Sequence, residues 1–235
     1  MTNARWQRWL VALHWLLMAA WVLGFWRRSP ALALAGLAAV PLLSRLCMLP
    51  QFLLMAWVCR HDETPRLGPA RLLRAWWAES RWAALVFGWW QPFRERAVAD
   101  WLPPRQPGAS APRGVVLVHG FLCNRAFWTP WFALLRARGH AFAAVTLEPA
   151  FGSIDGYAPA IDAAVRRVTE ATGRAPLVVG HSMGGLAIRA WMRAAPGADA
   201  RVHRVVTLGA PHRGTWPAAH ARSANGAQMR LHGPW

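Results

Sequence analysis

The chain of 235 residues contains no lysine, a single tyrosine and ten acidic residues, against 27 basic residues that are all arginine. Its formal net charge of +17 therefore comes entirely from arginine. A charge of this size is typical of proteins that bind nucleic acid. No groove-reading or base-stacking motif accompanies it, so we expect no nucleic-acid partner and favour an acidic membrane surface.

Cysteine is also scarce. Cys47, Cys59 and Cys123 are too few for a disulfide framework, and no C-x-x-C or cysteine–histidine spacing suggests a zinc site. The nine histidines are scattered along the chain without metal-ligand spacing. We therefore expect neither a metal nor another cofactor.

Apolar residues, in contrast, make up 55% of the chain and are concentrated in its first quarter. Trp9 to Trp26 is a run of 18 residues with one ionisable side chain, His14, and with arginines beyond both ends. That length and the terminal tryptophans are typical of a membrane span. A second apolar stretch, residues 31–58, is interrupted by two prolines and by Arg45.

We interpret the two stretches as a transmembrane helical hairpin within residues 1–60, with Arg45 extending toward the lipid headgroups. A cleaved signal peptide and a re-entrant or interfacial second segment are the alternatives. His14 is expected to be neutral and hydrogen-bonded inside the hairpin. The arginine distribution favours the cytoplasmic face of an inner membrane for the downstream domain, whereas a single span would place that domain outside.

Residues 61–113 are expected to contain an amphipathic helix and a linker. From Pro69 to Arg81, leucine and tryptophan fall on one face and arginine on the other. Such a helix lies on a membrane surface or packs against the next domain. Residues 94–99 could form an edge strand, and residues 102–113 form a linker rich in proline, glycine and alanine.

From Gly114 onward, apolar strands alternate with helices, which predicts a mostly parallel α/β domain over residues 114–235. Both faces of its sheet should be covered by helices. The expected strands are residues 115–119, 141–147, 177–179 and 202–208, and the expected helices are residues 126–138, 154–172 and 183–195.

The third strand runs into Gly180-His181-Ser182-Met183-Gly184, a G-x-S-x-G motif followed by a helix-forming run. This order predicts a sharp turn that exposes the hydroxyl of Ser182 at a helix N-terminus, where negative charge is favoured. Gly180 and Gly184 are needed because strand and helix approach too closely for side chains. The alternative is a glycine-rich connection whose serine only caps the helix.

A second motif, His119-Gly120-Phe121, follows the first strand. The loop after this strand is expected to swing over Ser182, so that the backbone N–H groups of Phe121 and Met183 point at one oxygen and form an oxyanion hole. His119 is expected to shape the turn rather than to react.

Together with Leu208-Gly209-Ala210-Pro211-His212-Arg213-Gly214-Thr215, these motifs resemble the bacterial triacylglycerol lipase branch of the α/β-hydrolase fold. The resemblance covers residues 114–235. It implies an incomplete α/β-hydrolase sheet, an acyl-accepting Ser182, an oxyanion hole at Phe121 and Met183, and an ester or lipid substrate with an apolar acyl chain. The apolar N-terminal region is similar instead to membrane-anchored esterases and lipases. An acyltransferase and an inactive membrane-bound scaffold are the alternative functions, and protein partners stay open.

The triad of this fold runs serine, acid, histidine. After Ser182 the sequence offers one acid, Asp199, which precedes the fourth strand at the wrong end of the sheet, and four histidines at positions 203, 212, 220 and 232. The family carries its acid and base on later strand–helix units. We therefore expect the chain to be truncated at its C-terminus and nearly inactive as it stands.

Overall fold

The computed structural model describes residues 2–61, 68–104 and 112–233. The chain divides into two compact units. One comprises residues 7–89, and the other comprises residues 1–6 together with residues 90–235.

The unit of residues 7–89 is helical. Helix α1 (Asn3–Trp26) and helix α2 (Pro30–Val58) are joined by a three-residue turn, in which Ser29 caps α2 by accepting the N–H of Leu32. Near this turn the indole of Trp21 donates to the carbonyl of Leu32 at 3.3 Å. Both helices are long and apolar enough to cross a bilayer, and α2 is continuous through its two internal prolines.

Helix α3 (Pro69–Leu85) confirms the helix expected from Pro69 to Arg81 and is about one turn longer. Its Trp76 indole donates to the carbonyl of Arg45 at 2.9 Å, which attaches α3 to α2. A π-helical turn (Val86–Trp90) and the short helix α4 (Gln91–Phe93) follow.

A four-stranded, entirely parallel sheet organises the remainder of the chain and confirms the predicted architecture. A 3₁₀ turn (Arg125–Trp128) leads into α5. The elements are β1 (Val115–Val118), α5 (Thr129–Ala137), β2 (Phe142–Val145), α6 (Ala158–Thr172), β3 (Leu177–His181), α7 (Met183–Ala194), β4 (Arg204–Leu208) and α8 (Ala224–Gln228).

The strand order is β2-β1-β3-β4, with Val118 in register with Val145 on one side and with Gly180 on the other. After β1 the chain passes to β2 at one side and then returns to β3 at the opposite side. The loops after β1 and β3 therefore leave neighbouring strands in opposite directions. Such a switch point at the carboxyl ends of the strands is where open α/β sheets bind ligands.

Alternate residues of β1 pack on opposite faces of the sheet, as a strand requires. Val116 and Val118 belong to a buried cluster with α6 and α7. Val115 and Leu117 belong to another cluster, with Trp128 and α5. Every residue of β1 and β2 is buried, so the sheet has a core on each face.

The expected edge strand at residues 94–99 is wrong. The side chain of Arg125 binds the carbonyl groups of Glu95 and Val98, so this backbone forms turns instead of a ladder. Only Trp101 makes an antiparallel bridge, to Phe142. Strand β4 begins at Arg204, two residues later than expected, and residues 105–111 of the expected linker lie outside the described residues.

Candidate active site

Ser182 occupies the turn between β3 and α7 with φ 54° and ψ −126°. A residue with a side chain holds such a backbone conformation at a cost of about 1–3 kcal/mol, which its surroundings must supply. Here the Ser182 N–H donates to the carbonyl of Leu208 at 2.8 Å, and the Ser182 carbonyl accepts the N–H of Gly185 at 3.0 Å. The side chain makes no capping bond to α7, so the capping interpretation is wrong.

The hydroxyl of Ser182 is half-buried and has no hydrogen-bond partner within the part of the chain that the structure describes. It stands at the first turn of α7, where the helix dipole favours negative charge. The Ser182 hydroxyl thus lies at the switch point of the sheet, and it makes no hydrogen bond to the described residues that would stabilise the fold.

The motif glycines lie where backbones meet. A Cβ on Gly180 would come within 2.8 Å of the Gly185 nitrogen. A Cβ on Gly184 would come within 2.5 Å of the His119 carbonyl oxygen and 2.6 Å of the Val118 carbonyl oxygen. Real Cβ contacts are essentially never this short, so α7 can begin this close to the end of β1 only with glycine at position 184.

The loop after β1 lies directly against the serine. A Cβ on Gly120 would be 3.0 Å from the Cβ of Ser182 and 3.1 Å from Nδ1 of His181. Next to these residues, the backbone N–H groups of Phe121 and Met183 donate to no acceptor within residues 2–61, 68–104 and 112–233. The structure therefore brings Ser182 together with Gly120, and leaves both N–H groups available to a ligand.

His119 is fully buried and holds this loop in place. Its Nδ1 lies 2.8 Å from the carbonyl of Gly120, and its Nε2 accepts the N–H of Leu147 at 2.9 Å. This pairing requires the proton to be on Nδ1. Burial, only partly offset by the bond to Gly120, lowers the pKa of His119 from 6.5 to about 4. The imidazole is neutral and structural, as the sequence analysis expected.

The other titratable groups near Ser182 are packing groups. His181 stacks on Phe127 with ring centroids 4.5 Å apart, and its buried Nδ1 has no partner among the described residues. Burial lowers the pKa of His181. Cys123 is buried, and burial raises the pKa of its thiol to about 12, so it is a packed thiol and not a reactive one.

No acid–histidine pair after Ser182 lies beside it in the described part of the chain. Asp199 and His203 precede β4, at the opposite end of the parallel strands from the serine. His212 is on the correct side, but its Nε2 faces the Thr207 hydroxyl at 3.1 Å and its Nδ1 faces Arg189 at 3.4 Å. The remaining two histidines, His220 and His232, are exposed in the C-terminal segment.

An aromatic wall adjoins the loop, and the sequence analysis did not identify it. Phe151 contacts Phe121 with ring centroids 6.0 Å apart, and Trp6 contacts Phe151 at 5.6 Å. The start of α1 is fixed there because the buried Asn3 amide donates to the carbonyl of Leu147 at 2.9 Å. No sequence signal links Trp6 to Phe151, because 144 residues separate them.

The C-terminal segment also contributes unexpectedly. Asn225, which is fully buried, donates to the carbonyl of Ala150 at 2.8 Å and to the Tyr157 hydroxyl at 3.3 Å. Gln228 accepts the N–H of Ile154 at 2.7 Å. These bonds fix the loop that carries the aromatic wall.

Comparison with known proteins agrees with this architecture. The model of the alpha/beta hydrolase family matches residues 115–235, which is more than half of the chain. No match was found among curated proteins.

Two solved structures are similar in part. The mature form of the Bacillus licheniformis lipase BlEst2 is 22% identical, with a TM-score of 0.47 over 55% of this chain and 58% of that chain. The propeptide form of the same lipase is 21% identical, with a TM-score of 0.45 over 55% of this chain and 32% of that chain. The matched region thus spans a little over half of the mature lipase.

Proposed function

The chain belongs to the alpha/beta hydrolase family, and we propose that it is a serine hydrolase that cleaves carboxylic esters in the manner of a lipase or esterase. The acyl group is carried on Ser182. One observation supports this role above others: Ser182 lies on a backbone turn with φ 54°, its Cβ lies next to Gly120, and its hydroxyl has no hydrogen-bond partner among the described residues. A serine with only a structural role would not be expected in a backbone conformation with this free-energy cost.

In the proposed reaction, Oγ of Ser182 attacks the ester carbonyl carbon while its proton passes to a general base. The carbonyl oxygen becomes negatively charged and is bound by the N–H groups of Phe121 and Met183. Each such donor contributes about 3 kcal/mol to transition-state stabilisation. Return of the electron pair expels the alcohol, which takes the proton from the base, and water then hydrolyses the acyl-serine.

We propose that neither the base nor its acid is among the described residues that follow Ser182. His119 is neutral and used on both nitrogens, His212 faces Thr207 and Arg189, and Asp199 precedes β4, at the opposite end of the strands from Ser182. Loss of the base from a serine triad reduces kcat by about 10⁶. We therefore expect the 235-residue chain by itself to turn over ester very slowly.

The substrate class is an ester with an apolar acyl chain, such as a lipid. Phe121, Phe151 and Trp6 support this assignment because they form an aromatic surface that begins at the proposed oxyanion residue. Apolar surface of this kind gains free energy when it buries a hydrocarbon chain.

We further propose that α1 and α2 anchor the protein in a membrane as a helical hairpin. Their 24 and 29 residues exceed the length needed to cross the hydrocarbon core, and almost none of the residues in their most apolar windows are buried within the protein. With the arginine distribution, this favours an inner-membrane protein whose hydrolase domain is cytoplasmic.

The serine assignment is tested with a fluorophosphonate probe, which labels activated serines. We expect labelling of the reading frame extended beyond Trp235, and loss of that labelling in Ser182→Ala. The control is Ser153→Ala, which removes a different hydroxyl and should label like the parent protein. In the 235-residue chain alone, kcat for a p-nitrophenyl ester should be about 10⁶-fold below that of the extended protein.

Equal labelling of Ser182→Ala and its parent would contradict the proposal. A rapid, Ser182-dependent burst from the 235-residue chain would instead show that the base lies within these residues. Product ratios that follow the concentration of an added alcohol would identify an acyltransferase.

A further inference from the structure

A cleft of about 1150 Å³ lies within the unit of residues 7–89 and is formed by α1, α2 and α3 with the π-helical turn. Its wall is mostly apolar and rich in tryptophan. The exceptions include His14, Arg45 and Arg81, and no carboxylate lines the cleft among the described residues. An apolar cleft lined by two arginines, and by no carboxylate among the described residues, is complementary to an anion that carries an apolar body.

Most donors of the Arg45 guanidinium have no acceptor among the described residues. The group lies 5.0 Å above the ring centre of Trp77, and one terminal nitrogen donates to the carbonyl of Pro41 at 3.4 Å. Its Nε is buried and has no hydrogen-bond partner among these residues, which carries a free-energy cost. Within residues 2–61, 68–104 and 112–233, neither Arg45 nor Arg81 pairs with a carboxylate.

The position of Arg45 along the hairpin fits a lipid headgroup. Arg45 is 15 residues after Pro30, which places it about 22 Å from the turn between α1 and α2. A hydrocarbon core is about 30 Å thick, so Arg45 lies toward the opposite boundary of the membrane. The residues of α1 that share the cleft include Gln7 and His14, close to Arg5 and Arg8 at the N-terminal end of the span.

We propose that this cleft binds one anionic phospholipid, with its phosphate on Arg45 and Arg81 and an acyl chain along the apolar wall. Arginine presents a planar fork of donors that matches phosphate oxygens. Basic pockets between membrane helices bind the headgroups of acidic lipids for this reason. The site is separate from Ser182, and it depends on the membrane anchoring proposed above but not on the ester hydrolysis.

The test is native mass spectrometry of the full chain in mild detergent, with Ser182→Ala as the background so that no lipid is consumed. We expect one phosphatidylglycerol to be retained per chain, and phosphatidylcholine with the same acyl chains to be retained at least tenfold less. The double variant Arg45→Gln, Arg81→Gln should reduce retention of phosphatidylglycerol at least tenfold. The matched control, Arg27→Gln with Arg28→Gln, removes the same charge at the helical turn and should leave retention unchanged.

Arg45→Lys keeps the charge and should restore part of the retention, which separates binding from a failure to fold. Circular dichroism of each variant provides the same check. Retention that is equal in the double glutamine variant and its parent would overturn the proposal. So would equal retention of phosphatidylcholine, or replacement of the phospholipid by oleate at equal concentration. Alkaline carbonate extraction tests the membrane anchoring separately.

Discussion

At the residue scale, His119 ties the loop of Phe121 to the end of β2. Its two ring nitrogens bind the carbonyl of Gly120 and the N–H of Leu147, so the loop cannot move without breaking a buried hydrogen bond. A broken bond of this kind leaves a buried polar group unpaired, at a cost of about 1–3 kcal/mol. The residue that looks most like a base beside Ser182 therefore acts as a fixed support.

The burial of His119 makes the free energy of unfolding of the domain depend on pH. The pKa of His119 is about 4 in the folded protein, against an ordinary value of 6.5. Between these values the unfolded chain binds a proton that the folded chain does not, so the free energy of unfolding falls as the pH falls from 6.5 to 4. The loss reaches about 3 kcal/mol. Urea titrations at pH 7 and pH 4.5 measure it.

His119→Asn is the matched variant for this pH dependence. It should be less stable at pH 7 but should lose less stability between pH 7 and pH 4.5. His181, whose pKa burial also lowers, accounts for part of the remaining slope. Asp162 affects the stability only at lower pH. Burial would raise the pKa of its carboxyl group, but hydrogen bonds from Trp191, Arg166 and Arg201 lower this pKa below 3.8. An unchanged slope in His119→Asn would contradict the assignment.

At the element scale, the position of α7 is set by its contact with the end of β1. Gly184 faces the carbonyl groups of Val118 and His119, and Gly180 faces the first turn of the helix. Gly185 similarly admits Ala210, since a Cβ there would lie 2.5 Å from the Ala210 methyl group. Helix α7, the loop after β1 and the loop after β4 thus pack closely around Ser182.

Gly184→Ala should therefore disturb both stability and the site. Backbone carbonyl oxygens cannot rotate away as a side chain does, so we expect a loss of about 1–3 kcal/mol in the free energy of unfolding. The measurement is urea unfolding followed by circular dichroism. Gly156→Ala is the control, because a Cβ on Gly156 meets nothing within 4 Å. Equal stability of the two variants would show that the contact at position 184 is relaxed easily.

At the scale of the whole molecule, the proposed membrane anchor would place one part of the chain in lipid and the other in water. Residues 115–118 and 142–145 are completely buried inside the protein, whereas the leucines and tryptophans of α1 and α2 are largely exposed. Exposed apolar surface of this extent supports the proposed membrane anchor, because it would be costly in water. In that proposal, the arginines lie where headgroups and water meet the chain.

Membrane topology is measurable through the cysteines. Cys59 follows α2 and is exposed, whereas Cys123 is buried. In a Cys47→Ser background, we expect a membrane-impermeant maleimide to label Cys59 in inverted vesicles but not in intact spheroplasts, because the positive-inside rule places this end in the cytoplasm. The protein should also remain in the pellet after carbonate extraction. Labelling only in intact spheroplasts would reverse the orientation.

Local chemistry made much of the fold predictable. Strands buried on both faces are continuously apolar, whereas apolar residues in a helix recur every three or four positions. The alternation of strands and helices after Gly114 could therefore be assigned from the hydrophobic pattern of the sequence. The turn at Ser182 was predictable because the G-x-S-x-G motif follows an apolar strand and precedes a helix-forming run. The segment at residues 94–99 was not, because its conformation depends on Arg125, which is distant in sequence.

The sequence by itself determined the order of elements, the position of the serine turn and the two apolar helices, because each depends on residues close together in the chain, and the alternation of strands and helices implied the parallel sheet. Only the tertiary structure decided that Phe151 contacts both Trp6 and Phe121, that His119 binds the N–H of Leu147, and that Arg45 shares a cleft with Arg81. These contacts join residues far apart in the chain. They form through packing and buried hydrogen bonds, and such interactions leave no local pattern in a sequence.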